Sequence, residues 1–162
     1  MLQAIVSQQV SVKAAASILA RVETVTGGTG DPENVARTSD ADLRAAGLSG
    51  QKVAYVKSLA GEVLSGRLDF ADLPPDDEEA IAVMTRVKGV GRWSAEVYLL
   101  FAEGRADIWP AGDLAVRQEV GRILGLEDSP NEKRVRELAE AWRPHRGTAA
   151  IFAWHHRHIV PL

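Results

Sequence analysis

Apolar residues recur at intervals of three and four along nearly the whole 162-residue chain, and alternating β-branched runs are nearly absent. This periodicity predicts helices over about 2–25, 33–37, 40–46, 50–66, 76–86, 92–104, 114–124, 130–142 and 147–159. Gly27–Gly28, Pro74–Pro75, the stretch from Pro110 to Gly112 and Pro144 mark the joints between them. The acidic run Asp76 to Glu79 suits the positive end of a helix dipole at the start of the 76–86 helix. Apolar residues occupy more than one side of the first helix, so neighbouring elements should cover it. The pattern describes an all-α fold of several short helices, with no solenoid repeat and no low-complexity tract.

Composition narrows the chemistry. The apolar share, 46%, is that of a globular protein, and no apolar run reaches the roughly 18 residues of a membrane span. The start, MLQAIVSQQVSVKAAA, lacks the basic head and apolar core of a signal peptide, which makes a cytoplasmic location the default. Cysteine is absent, which excludes disulfides, thiolate metal sites, cysteine nucleophiles and a cysteine-held iron–sulfur cluster. The net charge of −3 argues mildly against a nucleic-acid partner, although a basic surface can exist within an acidic total.

Two stretches carry candidate chemistry. In Val87-Lys88-Gly89-Val90-Gly91-Arg92, two glycines one residue apart allow a tight reversal between helices. The backbone amides of such a turn, with the opening amides of the next helix, can bind a phosphate, and Lys88 and Arg92 add positive charge. Val87 and Val90 would pack the turn inward. The same glycines also suit a plain connector between two helices. In the second stretch, Trp109 to Val120, Asp113 stands before an apolar helical pattern of Leu114, Val116, Val120 and Ile123. It reads as an N-cap, or as a catalytic carboxylate held at a helix N-terminus, and the two roles are compatible.

The string VKGVGRWSAEVYLLFAEGRADIWPAGDLAVRQ resembles the helix–hairpin–helix and Gly/Pro…Asp motifs of the helix–hairpin–helix-GPD DNA glycosylase superfamily. In detail it is most similar to the 3-methyladenine DNA glycosylase II, or AlkA-like, family. There the hairpin ends GxGRWTA and a P…DLxxR/KQ segment carries the catalytic Asp. Asp113 lies twenty residues beyond Trp93, as that Asp does beyond its Trp. AIVSQQVSVKAAASILARV near the start and WRPHRGTAAIFAWHH near the end are similar to the family as well, in the family's order. The resemblance implies one glycosylase domain over 1–162 with two helical lobes, a hairpin at 85–95 and a Gly/Pro…Asp loop at 105–113. The family's N-terminal β-rich domain has no counterpart, so the chain is expected to be truncated at its N-terminus.

The activity implied is hydrolysis of the N-glycosidic bond of an alkylated base, of the 3-methyladenine or 7-methylguanine type, in damaged double-stranded DNA after base flipping. Asp113 would stabilise an oxocarbenium-like sugar and orient water. Bifunctional members carry a lysine where this chain has Trp93, so the resemblance implies a monofunctional enzyme. Trp93 and Trp154 would line the base pocket, with Val97 where the family has an aromatic and Tyr98 next to it; for each Trp, core packing is the plain alternative. Gln9 matches the residue that fills the gap left by the flipped base, supported by Gln8, and is otherwise a solvated polar residue at a helix end. Gly89, Gly91, Lys88, Val90, Arg92 and Arg146 would contact DNA, Arg146 alternatively holding the loop of Asp113. The carbonyls of Thr85, Val87 and Val90 match those that bind a monovalent cation, Na or K, in the family. No cofactor is otherwise required, and a monomer is expected. His155 and His158 lie at helical spacing without an accompanying carboxylate motif, so they read as an accidental cluster. Two other functions fit parts of the pattern: a non-catalytic helix–hairpin–helix DNA-binding module, and a glycosylase for uracil or deaminated bases.

Overall fold

A computed structural model describes the backbone of residues 1–159 and the side chains of residues 1–157. The described residues are helical with no strand, in agreement with the all-α expectation. They divide into two compact units, Met1–Gly91 and Arg92–Leu162. None of the described helices is long and apolar enough to cross a membrane.

The first unit contains α1 (Leu2–Ser7), α2 (Val12–Thr26), α3 (Pro32–Arg37), α4 (Asp40–Ala45), α5 (Gly50–Leu64) and α6 (Asp77–Met84). Five of the six starts are capped by a short polar side chain: Ser11, Asp31, Ser39, Ser49 and Asp76 each accept a backbone N–H two or three residues on. Pro32 at the first turn of α3 and the acidic residues 77–79 of α6 complete the usual N-terminal chemistry. Helix α5 packs against α1, α3 and α4, and the shared core holds Ile5, Val6, Val22, Val35, Leu43, Val53 and Val56. Two apolar-lined cavities, of about 330 and 490 Å³, open beside α1 and α2; Glu23 is the one titratable side chain lining either of them.

The expected single helix over 2–25 is two helices. The chain leaves α1 at Gln8, passes through Gln9 with φ 54°, and restarts at α2 under the Ser11 cap. Apolar periodicity runs through this break because α1 and α2 both bury a face, so spacing alone reads as continuous helix. The broken segment is the one that resembles the family's gap-filling residue.

The second unit contains α7 (Arg92–Phe101), α8 (Leu114–Ile123), α9 (Glu132–Ala139) and α10 (Arg146–Ile159). A 3-10 turn, Glu140–Trp142, ends the segment that the sequence predicts as one helix over 130–142. Helix α8 packs on α10 and α9 around Val116, Val120, Val135, Ala139, Ala150 and Ala153. Buried Glu119 staples α8 to α10: it accepts from Arg122 at 3.1 Å and pairs with Nδ1 of His156 at 2.9 Å.

Candidate active site

Asp113 is the N-cap of α8. Its Oδ1 accepts the backbone N–H of Val116 at 2.9 Å, and its Oδ2 accepts the indole N–H of Trp93 at 2.9 Å. Capping therefore occupies only one oxygen and leaves the other facing an aromatic. Trp93 is 48% exposed, so the core-packing alternative for it fails. It sits in the first turn of α7, whose buried face is Ala95, Glu96, Leu99 and Leu100. Beside that face runs a less buried stripe of Trp93, Val97 and Phe101 at i, i+4 and i+8, with Val97 half-buried and Phe101 60% exposed. Phe101 stacks on Trp154 of α10, ring centroids 5.6 Å apart. Partial burial, with a smaller push from Glu103, raises the Tyr98 phenol above its ordinary value. The structure thus joins Trp93 to Asp113 and Trp154 to Phe101. Phe101 was legible in principle as the third apolar residue at helical spacing from Trp93, but no motif pointed to it.

The loop that leads to Asp113 is anchored at Asp107. Its carboxylate accepts Nε and Nη2 of Arg146 at 2.8 and 2.9 Å, Nη1 of Arg143 at 2.6 Å and the backbone N–H of Arg146 at 3.3 Å. Arg146, whose side chain is 14% exposed, also reaches Glu140 at 3.1 Å. Of the two roles expected for Arg146, phosphate contact and support of the Asp113 loop, the observed bonds are those of the second. One residue on, the backbone N–H of Gly147 donates to the carbonyl of Ala106 at 2.8 Å. A Cβ on Gly147 would lie 2.7 Å from that carbonyl oxygen, so only glycine permits the contact. Beyond the anchor, Ile108, Trp109 and Ala111 are buried, and Trp109 meets Trp142 edge to face at 5.4 Å.

The hairpin reverses through Val87–Val90, whose ends are joined by a 3.0 Å bond from the Val90 N–H to the Val87 carbonyl. Val87 and Val90 are buried. The two glycines differ. Gly89 has φ +80° and faces the ring of Tyr55 so closely that a Cβ would come within 2.2 Å of it. Gly91 lacks a positive φ and has open space before it. Conformation thus requires glycine at 89 only. The N–H of Lys88 donates to Ser58 at 3.0 Å, while its side chain is exposed. Gln8 donates its amide to the Gly89 carbonyl at 2.9 Å, which ties the Gln8–Gln9 turn to the hairpin. Three backbone carbonyls suit a hard monovalent cation in chemical type, and the Val87 carbonyl keeps one lone pair after its bond to Val90.

Arg92 opens α7 and donates Nε to Glu96 at 2.9 Å. Glu96 is 2% exposed; burial raises its carboxyl above the ordinary range, against the opposing charges of Arg92 and Arg136. Among the described residues no group of three His, Cys, Asp or Glu side chains could hold a metal ion. His155 is exposed, and the side chain of His158 lies outside the described residues.

A family model described as HhH-GPD superfamily base excision DNA repair protein matches residues 2–144. DNA-3-methyladenine glycosylase 1 of Schizosaccharomyces pombe is 32% identical over 158 residues, which span 95% of this chain and 69% of that protein. A crystal structure of a DNA-3-methyladenine glycosidase from Bacillus halodurans is similar with a TM-score of 0.89 at 35% identity, covering 95% of this chain and 72% of that one. A structure of the S. pombe 3-methyladenine DNA glycosylase in complex with abasic DNA gives a TM-score of 0.75 at 31% identity, covering 94% and 76% of the two chains.

Proposed function

Because the chain belongs to the HhH-GPD superfamily of base excision DNA repair proteins, we propose that it is a monofunctional DNA glycosylase that removes alkylated bases from double-stranded DNA. Relatives of that activity match it over almost its full length. The observation that carries the reading is the Trp93–Asp113 pair, a carboxylate and an electron-rich ring joined at 2.9 Å.

In the reaction the target nucleotide leaves the stack, at a cost of a few kcal/mol that is smaller for damaged bases. The C1′–N bond then breaks, and its electron pair goes to the base. An N-alkylated purine carries positive charge, so it departs neutral and needs no strong general acid. Positive charge grows on the deoxyribose, and the Asp113 carboxylate stabilises it. Water adds to C1′ and gives up its proton, leaving an abasic site. Capping of α8 and the Trp93 bond together fix the Asp113 carboxylate in place, which avoids reorganisation during the step. The Trp93 face attracts a cationic base by roughly 0.5–2 kcal/mol. Indole has no amine, so it cannot form the Schiff base that strand cleavage at this position would need.

Gln9 would fill the vacated space in the duplex. Lys88, Gly89, Val90, Gly91 and Arg92 would hold the backbone strand, and a Na or K ion would be held by the carbonyls of Thr85, Val87 and Val90. The test is incubation with methylated duplex DNA and identification of the released bases. Release of 3-methyladenine or 7-methylguanine, lost in Asp113→Asn, supports the reading. Binding of abasic DNA without release of any base points instead to a DNA-binding module.

A further inference from the structure

Helix α5 carries two lysines that do the same chemical job in different places. Lys57 donates to the carbonyls of Ala36 and Thr38 at the C-terminal end of α3. Lys52 donates to the carbonyls of Val6 and Gln8 at the end of α1, both at 2.6 Å. Short helices leave their last carbonyls without partners, and an ammonium with three donors satisfies two at once.

The two capped ends lead into different backbone. After α3 the chain is extended at Thr38 and enters the Ser39 cap of α4. After α1 it enters Gln9, which is exposed and has the one positive φ of a non-glycine among the described residues. Such a conformation is sterically disfavoured for a residue with a Cβ and persists only where the surroundings impose it. Three restraints impose it here. Lys52 holds the carbonyl of Gln8, the Gln8 amide holds the Gly89 carbonyl of the hairpin, and Ser11 restarts the helix two residues after Gln9.

We propose that Lys52 and Gln8 are positioning residues that hold Gln9 in its left-handed pose and couple it to the Gly89 hairpin, so that gripping the DNA backbone and filling the gap behind an extruded base occur together. The proposal rests on the assignment of Gln9 as the gap-filling residue. It adds that filling the gap depends on a lysine that touches neither base nor phosphate.

Lys52→Met keeps the apolar stem and removes the ammonium; Lys57→Met does the same at α3 and controls for a structural effect. The substrates are duplexes with one 7-methylguanine, either paired with cytosine or opposite an abasic residue, where extrusion costs less. In Lys52→Met, kcat/KM on the paired duplex is expected to fall by about tenfold or more, and on the unpaired one by less than about threefold. Lys57→Met should lower thermal stability but leave the ratio between substrates unchanged. Lys52→Arg, which can still donate to both carbonyls, should restore most of the ratio. Equal losses on both substrates, or the same ratio in both methionine variants, would overturn the proposal. Amide exchange gives a readout free of chemistry: with abasic duplex bound, residues 8–10 and 87–91 should gain protection together in the wild type and separately in Lys52→Met. Protection that stays coupled in the variant also overturns it. If the wild type releases no base at all, the glycosylase reading falls while the exchange result still judges the clamp.

Discussion

The indole N–H of Trp93, in the first turn of α7, donates to Oδ2 of Asp113, the residue that caps α8, at 2.9 Å. Twenty positions separate them in the chain, and each does something more. Asp113 also holds the N–H of Val116, and Trp93 also exposes an aromatic face. Asp113→Asn can keep the cap, since Asn caps helices about as well as Asp. It removes the negative charge, and an amide turned to cap α8 sets its NH2 against the indole N–H. Base release should therefore fall by about 10²-fold or more, while thermal stability changes little and abasic DNA still binds. Near wild-type turnover of methylated DNA by this variant would remove Asp113 from the chemistry.

The two contributions of Trp93 can be separated. Trp93→Phe keeps a ring face and loses the N–H, so its main effect should be on kcat through a less fixed Asp113. Trp93→Ala loses the face too, and should cost up to about 30-fold more for a cationic base, the equivalent of a 2 kcal/mol cation–π contact. Steady-state kinetics on 7-methylguanine duplexes separate the two. Equal defects in both variants would mean that the face contributes nothing.

Asp107 supplies a pH test of the loop anchor. Partial burial pushes its carboxyl up, but the hydrogen bonds and charges of Arg146, with the charge of Arg143, outweigh that and hold it below its ordinary value. A depressed folded-state pKa means that the folded state binds fewer protons than the unfolded one. Its stabilisation is thus complete above the unfolded value of about 3.9 and is lost as pH falls through the folded value. Asp107→Asn should lower Tm at pH 7, and its gap from the wild type should narrow as pH drops through 4 toward 3. A gap that stays constant over that range would show that the Asp107 charge contributes nothing to the anchor.

The two hairpin glycines should fail differently. Gly89→Ala meets both a positive φ and the Tyr55 ring, so it should destabilise by roughly 1–3 kcal/mol or more. Gly91→Ala should leave thermal melting unchanged, since the space before it is open, and weaken DNA binding by blocking close approach of a phosphate. Chemical denaturation and abasic-duplex titration measure the two effects. Lys88→Ala, at an exposed position in the same turn, should reduce the salt dependence of binding by about one phosphate contact.

The apolar faces, most helix starts and the cap at Asp113 were legible from the sequence because they are set by neighbours within four positions. Ser39, Ser49 and Asp76 cap where short polar side chains before an apolar pattern should. The break at Gln8–Gln9 was not legible, because its cause lies elsewhere: the Lys52 ammonium and the Gly89 carbonyl hold a conformation that local preference disfavours. Phe101 was hidden for a related reason. Its spacing from Trp93 marks it as sharing a helix face, but its value as a partner depends on Trp154, fifty-three positions away.

The same division holds for the candidate site. The sequence by itself determined an all-helical chain, the Asp at a helix start, the hairpin and the absence of thiol chemistry, since these follow from residue type and short-range spacing. Only the tertiary structure decided that one oxygen of Asp113 belongs to Trp93, that Arg146 is tied to Asp107 and Glu140, and that a single hairpin glycine is required by conformation. Those outcomes depend on which groups meet across long stretches of chain, where a few ångströms determine whether a charge is paired or a Cβ has room.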